Sequence, residues 1–339
     1  MGIRRFGNSS YNRQKNYSFL SGRILTLISA TGGTVSYAGG YTIHSFLTTG
    51  SSNFIVNSTG TAEIFMVGGG GASNAYSGGG GGGEVIYFSR SLSSSAYPLV
   101  VGAGGVGKSN NAWALTMQGS STTGFGETAL PGGGGLGSDD YAVSGIPQGN
   151  SVWSQVACGG GGSSRTAGYI GTIGTSVGSG VTRSGGGNRG GQTSSGGGSG
   201  NQAPNYPSGG GGGAGASVSG DTGGSTPSAG GIGVANSILG TSYYWGAGGG
   251  GGCYYNGSGA AGGTGGGGGG AGPGGGGAGG GSALNSGSSG TTNGAGGSAG
   301  ANTGSGGGTG TGQTSSLGGN GGSGIVVVRY LTSGSLSYD

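Results

Sequence analysis

Glu63-Ile-Phe-Met-Val-Gly-Gly-Gly-Gly71 runs from apolar strand into glycine, and Gly321-Gly-Ser-Gly-Ile-Val-Val-Val-Arg-Tyr330 returns from glycine to strand. Ile325-Val-Val-Val-Arg-Tyr330 is the most strand-like segment in the chain, and a strand this apolar needs a partner. The candidates lie early: Tyr41-Thr-Ile-His-Ser-Phe46, Asn53-Phe-Ile-Val56, Ala62-Glu-Ile-Phe-Met-Val67, Glu84-Val-Ile-Tyr-Phe88 and Tyr97-Pro-Leu-Val-Val101 are β-branched or aromatic runs bounded by Gly, Ser and Thr. Pairing between the two ends makes the chain one folded unit, with its glycine segments looped out of a small β base. Apolar residues nowhere recur at helical spacing over three turns, so almost no α-helix is expected.

Composition constrains what lies between the ends. There are 106 glycines in 339 residues, 30% of residues are hydrophobic and 5% are charged, against roughly 25% charged in ordinary soluble proteins. A side-chain core is therefore excluded for most of the chain. Glycine clusters at residues 132–135, 159–162, 209–213, 248–252 and 265–270 alternate with loops of Ser, Thr and Asn. Collagen is excluded, since there is no Gly-X-Y period and there are seven prolines. Two readings remain, a flexible linker or packed polyglycine-II helices. The latter have three residues per turn and no internal hydrogen bonds, so they must exchange amide and carbonyl groups with neighbours. The expected fold is mainly β and irregular: a small antiparallel β base closed by the C-terminal strand, with a bundle of polyglycine-II helices and protruding loops. The expected divisions are a basic arm at 1–23, a β-rich base at 24–101, a glycine-rich body at 102–322 and the returning strand at 323–339.

Charge is unevenly placed. Arg4, Arg5, Arg13, Lys15 and Arg23 are five of the eleven basic residues, and the first acidic residue is Glu63. The remaining six basic residues face seven acidic ones, so the body is nearly neutral. A basic arm on a neutral body suits docking to an acidic partner surface, with Arg4, Arg5, Arg13 and Lys15 as attachment candidates, better than nucleic-acid binding; a frayed terminus is the alternative. The apolar stretch at residues 19–28 is interrupted by Arg23 and lacks a small-residue cleavage site, so no export signal is expected. No run approaches the ~20 apolar residues of a membrane-spanning helix. Cys158 and Cys253 show no CxxC spacing and read as free thiols with no metal site, a single bridge between them being the alternative.

The motifs that suggest chemistry are weak. Gly102-Ala-Gly-Gly-Val-Gly-Lys-Ser109 matches the phosphate-loop pattern. It should open into a helix whose N-terminus holds phosphate, and residues 110–117 do not read as one. His44 is the only histidine, so any Ser-His-Asp triad would need it; it lies in an expected strand and reads as structural. A glycosidase needs two facing carboxylates about 5–10 Å apart, and the adjacent Asp139 and Asp140 read instead as a turn or recognition loop. No enzyme activity and no cofactor are expected.

Aromatic residues say more. Sixteen tyrosines exceed what so small a core can bury, and Tyr and Trp offer rigid amphipathic contact surface at low entropic cost. Tyr141, Trp153, Tyr169, Tyr206, Tyr243, Tyr244, Trp245, Tyr254 and Tyr255 interrupt the glycine tracts where loops should emerge. They are the receptor-contact candidates, with caps that shield the bundle ends from water as the alternative role.

With these residues in view, the chain resembles the glycine-rich domain family of tailed-phage fibre and adhesin proteins over roughly residues 35–331. The likeness rests on Gly40-Tyr-Thr-Ile-His-Ser-Phe-Leu-Thr-Thr-Gly50, Phe54-Ile-Val56, the Glu63 to Gly71 stretch, Val100-Val-Gly-Ala-Gly-Gly105 and the Gly321 to Tyr330 stretch. The scaffold is similar to T-even-type fibre-tip adhesins, whose layered polyglycine helices hold up loops that touch the bacterial surface. The resemblance implies a virion location, other virion proteins as partners and a host receptor, either glycan or outer-membrane protein, bound without catalysis. It also implies an oligomer, since fibre shafts in such particles are usually trimeric. The arm before residue 24 is not part of the shared pattern. Two other readings stay open: a non-adhesive head fibre or tail decoration, and an ice-binding polyglycine protein, which would need flat ranks of Thr.

Overall fold

The structure, a computed structural model, describes residues 19–20, 23–24, 27–75, 77–109, 117–135, 156–162, 181–184, 190, 205–218, 226–311 and 316–332. It contains no α-helix among them and fifteen strands: β1 (Phe19–Leu20), β2 (Arg23–Ile24), β3 (Ser29–Thr31), β4 (Thr34–Ala38), β5 (Tyr41–Phe46), β6 (Gly50–Ser58), β7 (Gly60–Val67), β8 (Val85–Leu92), β9 (Ser95–Val101), β10 (Thr122–Gly124), β11 (Glu127–Ala129), β12 (Thr182–Ser184), β13 (Val234–Asn236), β14 (Tyr243–Trp245) and β15 (Ile325–Leu331). All strand pairings are antiparallel. A six-stranded sheet is ordered β12-β8-β7-β15-β5-β4, a five-stranded sheet β11-β10-β9-β6-β3, and β1-β2 and β13-β14 are hairpins.

The two larger sheets face one another. Phe54, Val56, Leu99 and Val101 from the five-stranded sheet meet Ile64, Met66, Phe88, Val326 and Val328 from the six-stranded one in a single core. On β6, Phe54 and Val56 are buried while Ile55 between them is exposed, the period-two signature of a sheet with one wet face. β15 breaks that alternation, with Ile325, Val326, Val327 and Val328 all fully buried. It lies between β7 and β5, and its second face joins Phe65, Val67, Val85, Ile238 and Trp245 in another core. Burial on both faces is why Ile325 to Val328 are apolar without interruption, and why the strand closes the fold.

Beyond the strands the chain forms a hydrogen-bonded glycine lattice. In residues 79–84, Gly79 and Gly82 donate to Gly209 and Gly212, Gly80 and Gly83 to Gly307 and Gly304, and Gly81 and Glu84 to Gly133 and Leu130, all at 2.7–2.9 Å. Each neighbouring run is revisited after three residues, as three residues per turn requires. The carbonyls of Gly79, Gly80 and Gly81 accept from Gly161, Gly249 and Gly71, so this run touches six others. Residues 306–311 repeat the pattern, with Gly306 and Thr309 bonded to Ala247 and Gly250, Gly307 and Gly310 to Gly71 and Asn74, and Gly308 and Thr311 to Gly297 and Gly294. None of residues 79–83 has positive φ. Glycine is needed there for the space left by its missing side chain, since a β-carbon on Gly80 would overlap the Gly71 carbonyl and one on Gly306 the Gly80 carbonyl.

Base and body are not separated at residue 101. Residues 68–71 and 78–83 lie inside the stretch expected to be β base and belong to the lattice. Conversely, β10, β11, β12, β13 and β14 return to strand from inside 102–322. Glycine runs leave the ends of β7, β9, β11 and β14 and lead into β8 and β15, so both parts are threaded from the same segments.

Candidate recognition site

Two segments far apart in sequence meet at the lattice end away from the sandwich. Pro207 bridges to Cys253, and Ser208 donates its amide to Gly252 O at 2.9 Å. The Asn205 carbonyl accepts from the amides of both Tyr254 and Tyr255, at 3.1 and 3.2 Å. Tyr206 and Asn256 hold φ of 44° and 47°, a left-handed conformation that is costly for a bulky residue such as Tyr206. The turns bring three rings together: Tyr254 and Tyr255 lie with centroids 4.2 Å apart and near-perpendicular, and Tyr206 meets Tyr255 edge-on at 5.6 Å. Tyr255 is 43% exposed. Its hydroxyl is pushed above the ordinary phenol range, first by a hydrogen bond shared with Tyr254. The cluster offers ring faces, ring edges and hydroxyls, the chemistry of stacking and polar contact.

The same lattice runs separate this cluster from the sandwich. Residues 247–252 lead from β14 to Cys253, about 20 Å at ~3.1 Å per residue. At the near end, Trp245 is fully buried, with its ring 5.1 Å from Phe65 and its indole Nε1–H directed at Asn236 O at 3.5 Å. Trp245 is therefore withdrawn from the receptor-contact candidates, because β13-β14 closes over the second face of the six-stranded sheet and its ring fills that core. Tyr243 packs edge-on against Trp245 at 6.1 Å. Tyr243 and Tyr244 are half-buried, and the Tyr244 amide donates to Ser282 O. The structure thus gathers Tyr206, Tyr254 and Tyr255 into one site and holds Tyr243, Tyr244 and Trp245 apart from it. Tyr141, Trp153 and Tyr169 lie outside the described residues, as do Arg4, Arg5, Arg13 and Lys15.

The chemically suggestive residues have defined places. In the phosphate-loop match, the amides of Gly105 and Lys108 donate to Gly70 O and Ser73 O, and that of Gly107 to the Asn320 side chain, so these donors are spent on the lattice. His44 is buried between Gly32 O, 2.7 Å from Nδ1, and the Tyr330 hydroxyl, 2.9 Å from Nε2. A carbonyl can only accept, so Nδ1 carries the proton and Nε2 accepts from Tyr330. Burial lowers its pKa, with the Gly32 bond partly opposing. Cys158 and Cys253 are both buried and neither forms a disulfide; burial pushes the Cys253 thiol up to about 11 and raises Cys158 as well.

One cluster had no signal in the sequence. Arg183 on β12 bridges Glu84 at 3.0 Å and Glu127 at 2.9 Å, and Arg90 reaches Glu127 at 3.1 Å. Glu84 also accepts from the Leu130 amide, and burial raises its pKa against those stabilising partners. Both carboxylates are occupied by guanidinium groups, and the cluster clamps β12 to the edge of β8. Residues 84, 127 and 183 are too far apart for any spacing rule to pair them. The outer face of the five-stranded sheet also carries a shallow concavity of about 310 Å³, lined by small neutral groups including Ser51, Asn53, Pro98 and Thr123. No protein-family model matches the chain, and no curated protein matches it.

Proposed function

We infer that the chain is a virion surface protein of a tailed phage, a tail-fibre or fibre-tip adhesin that holds a host-cell receptor without chemical turnover. One observation carries this reading: a hydrogen-bonded glycine lattice holds Tyr206, Tyr254 and Tyr255 together at its end away from the β sandwich, about 20 Å along residues 247–252 at ~3.1 Å per residue. Ordering those rings before contact lowers the entropic cost of binding, which is what a recognition tip needs. The resemblance of the opening and closing motifs to phage fibre proteins supports the particle assignment. The partner chemistry is a glycan or an outer-membrane protein surface that accepts aromatic stacking, and the basic arm serves attachment to other virion proteins.

The test is binding of the purified full chain to a panel of bacterial cells, followed by flow cytometry, with the Tyr206→Ala, Tyr255→Ala double variant alongside. Truncating a central aromatic contact typically costs more than 1 kcal/mol, so binding should weaken at least about tenfold. Unchanged binding by the double variant removes this site from the reading. A folded chain that joins particles yet binds no cell that those particles infect favours a non-adhesive virion component.

A further inference from the structure

The two sides of the β sandwich are finished differently. On one side the last strands are β11 and β12, each three residues long, and the Arg183, Glu84, Glu127 and Arg90 cluster lies across them. Short strands and charges are the usual protection of a sheet edge. On the other side the last strands are β3 and β4, and no charged residue occurs anywhere from Ser29 to Ala62. β4 has no proline and pairs in unbroken register with β5 alone among the described residues. Thr34, Val35, Ser36 and Tyr37 are all exposed, with Tyr37 at 71% and Val35 at 43%.

The register states which backbone groups this edge offers. Gly39 and Gly40 both have positive φ, 55° and 80°, and form a two-residue turn between Ala38 and Tyr41. In such a hairpin the flanking pair is hydrogen-bonded and the bonding alternates, so Ala38, Ser36 and Thr34 face β5. Val35 and Tyr37 turn their amides and carbonyls outward.

We propose that the β4 edge is a two-fold interface at which a second copy of this chain adds its own β4 antiparallel, joining the two six-stranded sheets. The edge is complementary to itself. Val35 stands opposite the partner's Tyr37 and Tyr37 opposite the partner's Val35, and each pair exchanges both main-chain bonds, four in all. These are aromatic and β-branched cross-strand pairs, among the favourable ones, and no like charges are opposed. Ser36 faces the partner's Ser36 in the non-hydrogen-bonded position between them, where Cα atoms lie about 4.5 Å apart. Four main-chain bonds at a net ~1 kcal/mol each sit at the low end of the association cost, so the pair dissociates on dilution. The inference is independent of the adhesin reading and concerns the opposite end of the lattice.

That geometry gives the test. The 4.5 Å spacing lies within disulfide range, and both native cysteines are buried. Ser36→Cys in the full chain should form a disulfide-linked dimer on mild oxidation, whereas Thr34→Cys, also exposed but off the two-fold position, should not. Sedimentation velocity over a dilution series should show a monomer–dimer equilibrium that the Val35→Lys, Tyr37→Lys double variant abolishes, since it sets lysines opposite one another. Circular dichroism would confirm that the variant keeps its fold. Monomer at every concentration, a dimer that survives both lysines, or equal crosslinking through Thr34→Cys and Ser36→Cys overturns the proposal. A crosslink to a different particle protein assigns the edge to that protein and does the same.

Discussion

Replacing Gly80 by alanine adds one methyl group at the centre of the lattice. The Gly80 amide donates to Gly307 O and its carbonyl accepts from Gly249, both at 2.9 Å. A β-carbon there would overlap the Gly71 carbonyl, which is backbone and cannot rotate away. That carbonyl is also the acceptor for the Gly307 amide at 2.9 Å, so moving it strands a buried donor. Overpacking a tight interior costs about 1–3 kcal/mol, and an unsatisfied buried amide about 1–3 kcal/mol more. Together they set an expected loss of about 4 kcal/mol. Gly281 is the matched control: it is exposed, lacks positive φ and has open space where a β-carbon would go. Gly281→Ala should be neutral or stabilising by about 0.4–1 kcal/mol through the unfolded chain. Urea unfolding of both variants, with matched m-values, measures the difference. If Gly80→Ala lies within about 0.5 kcal/mol of Gly281→Ala, the lattice is not close-packed in solution and the account of its glycines is wrong.

Two further perturbations probe the base. His44 is held neutral, and burial puts its folded pKa below the ordinary histidine value of 6.5. Above that value neither state takes up a proton there; as pH falls below it, the unfolded chain protonates first and stability is lost, by up to about 1.4 kcal/mol per pH unit until the folded pKa is reached. Unfolding free energies from pH 7.5 down to 5.5 should therefore fall more steeply for the native chain than for His44→Gln, and parallel curves would refute the buried neutral ring. Arg183→Ala should cost about 3–5 kcal/mol, because it leaves the buried carboxylates of Glu84 and Glu127 without their shared cation. Adding Glu84→Gln should recover part of that loss in thermal or urea unfolding, and a null effect of the arginine change would remove the clamp.

Much of this architecture could be read from local pattern. Ile325 to Val328 read as a strand needing a partner among the early strands, and β15 does pair with β7 and β5; that it is covered on both faces, which is what four consecutive apolar β-branched residues serve, is visible only in the structure. Absent helical periodicity and the glycine content likewise led to a β and irregular fold. The boundary at residue 101 misled because composition changes there while hydrogen bonding does not: residues 68–71 and 78–83 enter the lattice from within the strand-rich stretch. Trp245 misled for a related reason. A tryptophan beside a glycine tract looks like a loop residue, and only the return of β13-β14 over Phe65 turns it into core.

What the chain's linear order determined was the kind of backbone it can build: strands where β-branched residues cluster, and three-per-turn runs where side chains vanish. Which run lies beside which was decided in three dimensions. Glycine offers every neighbour the same bare amide and carbonyl, so no residue in one run specifies its partner in another. The strands at the rim set where each run starts, and that placement brings Asn205 beneath Tyr254 and Tyr255 and Glu84 to Arg183. The recognition cluster thus depends on tertiary registration, because identical repeating groups carry no address of their own.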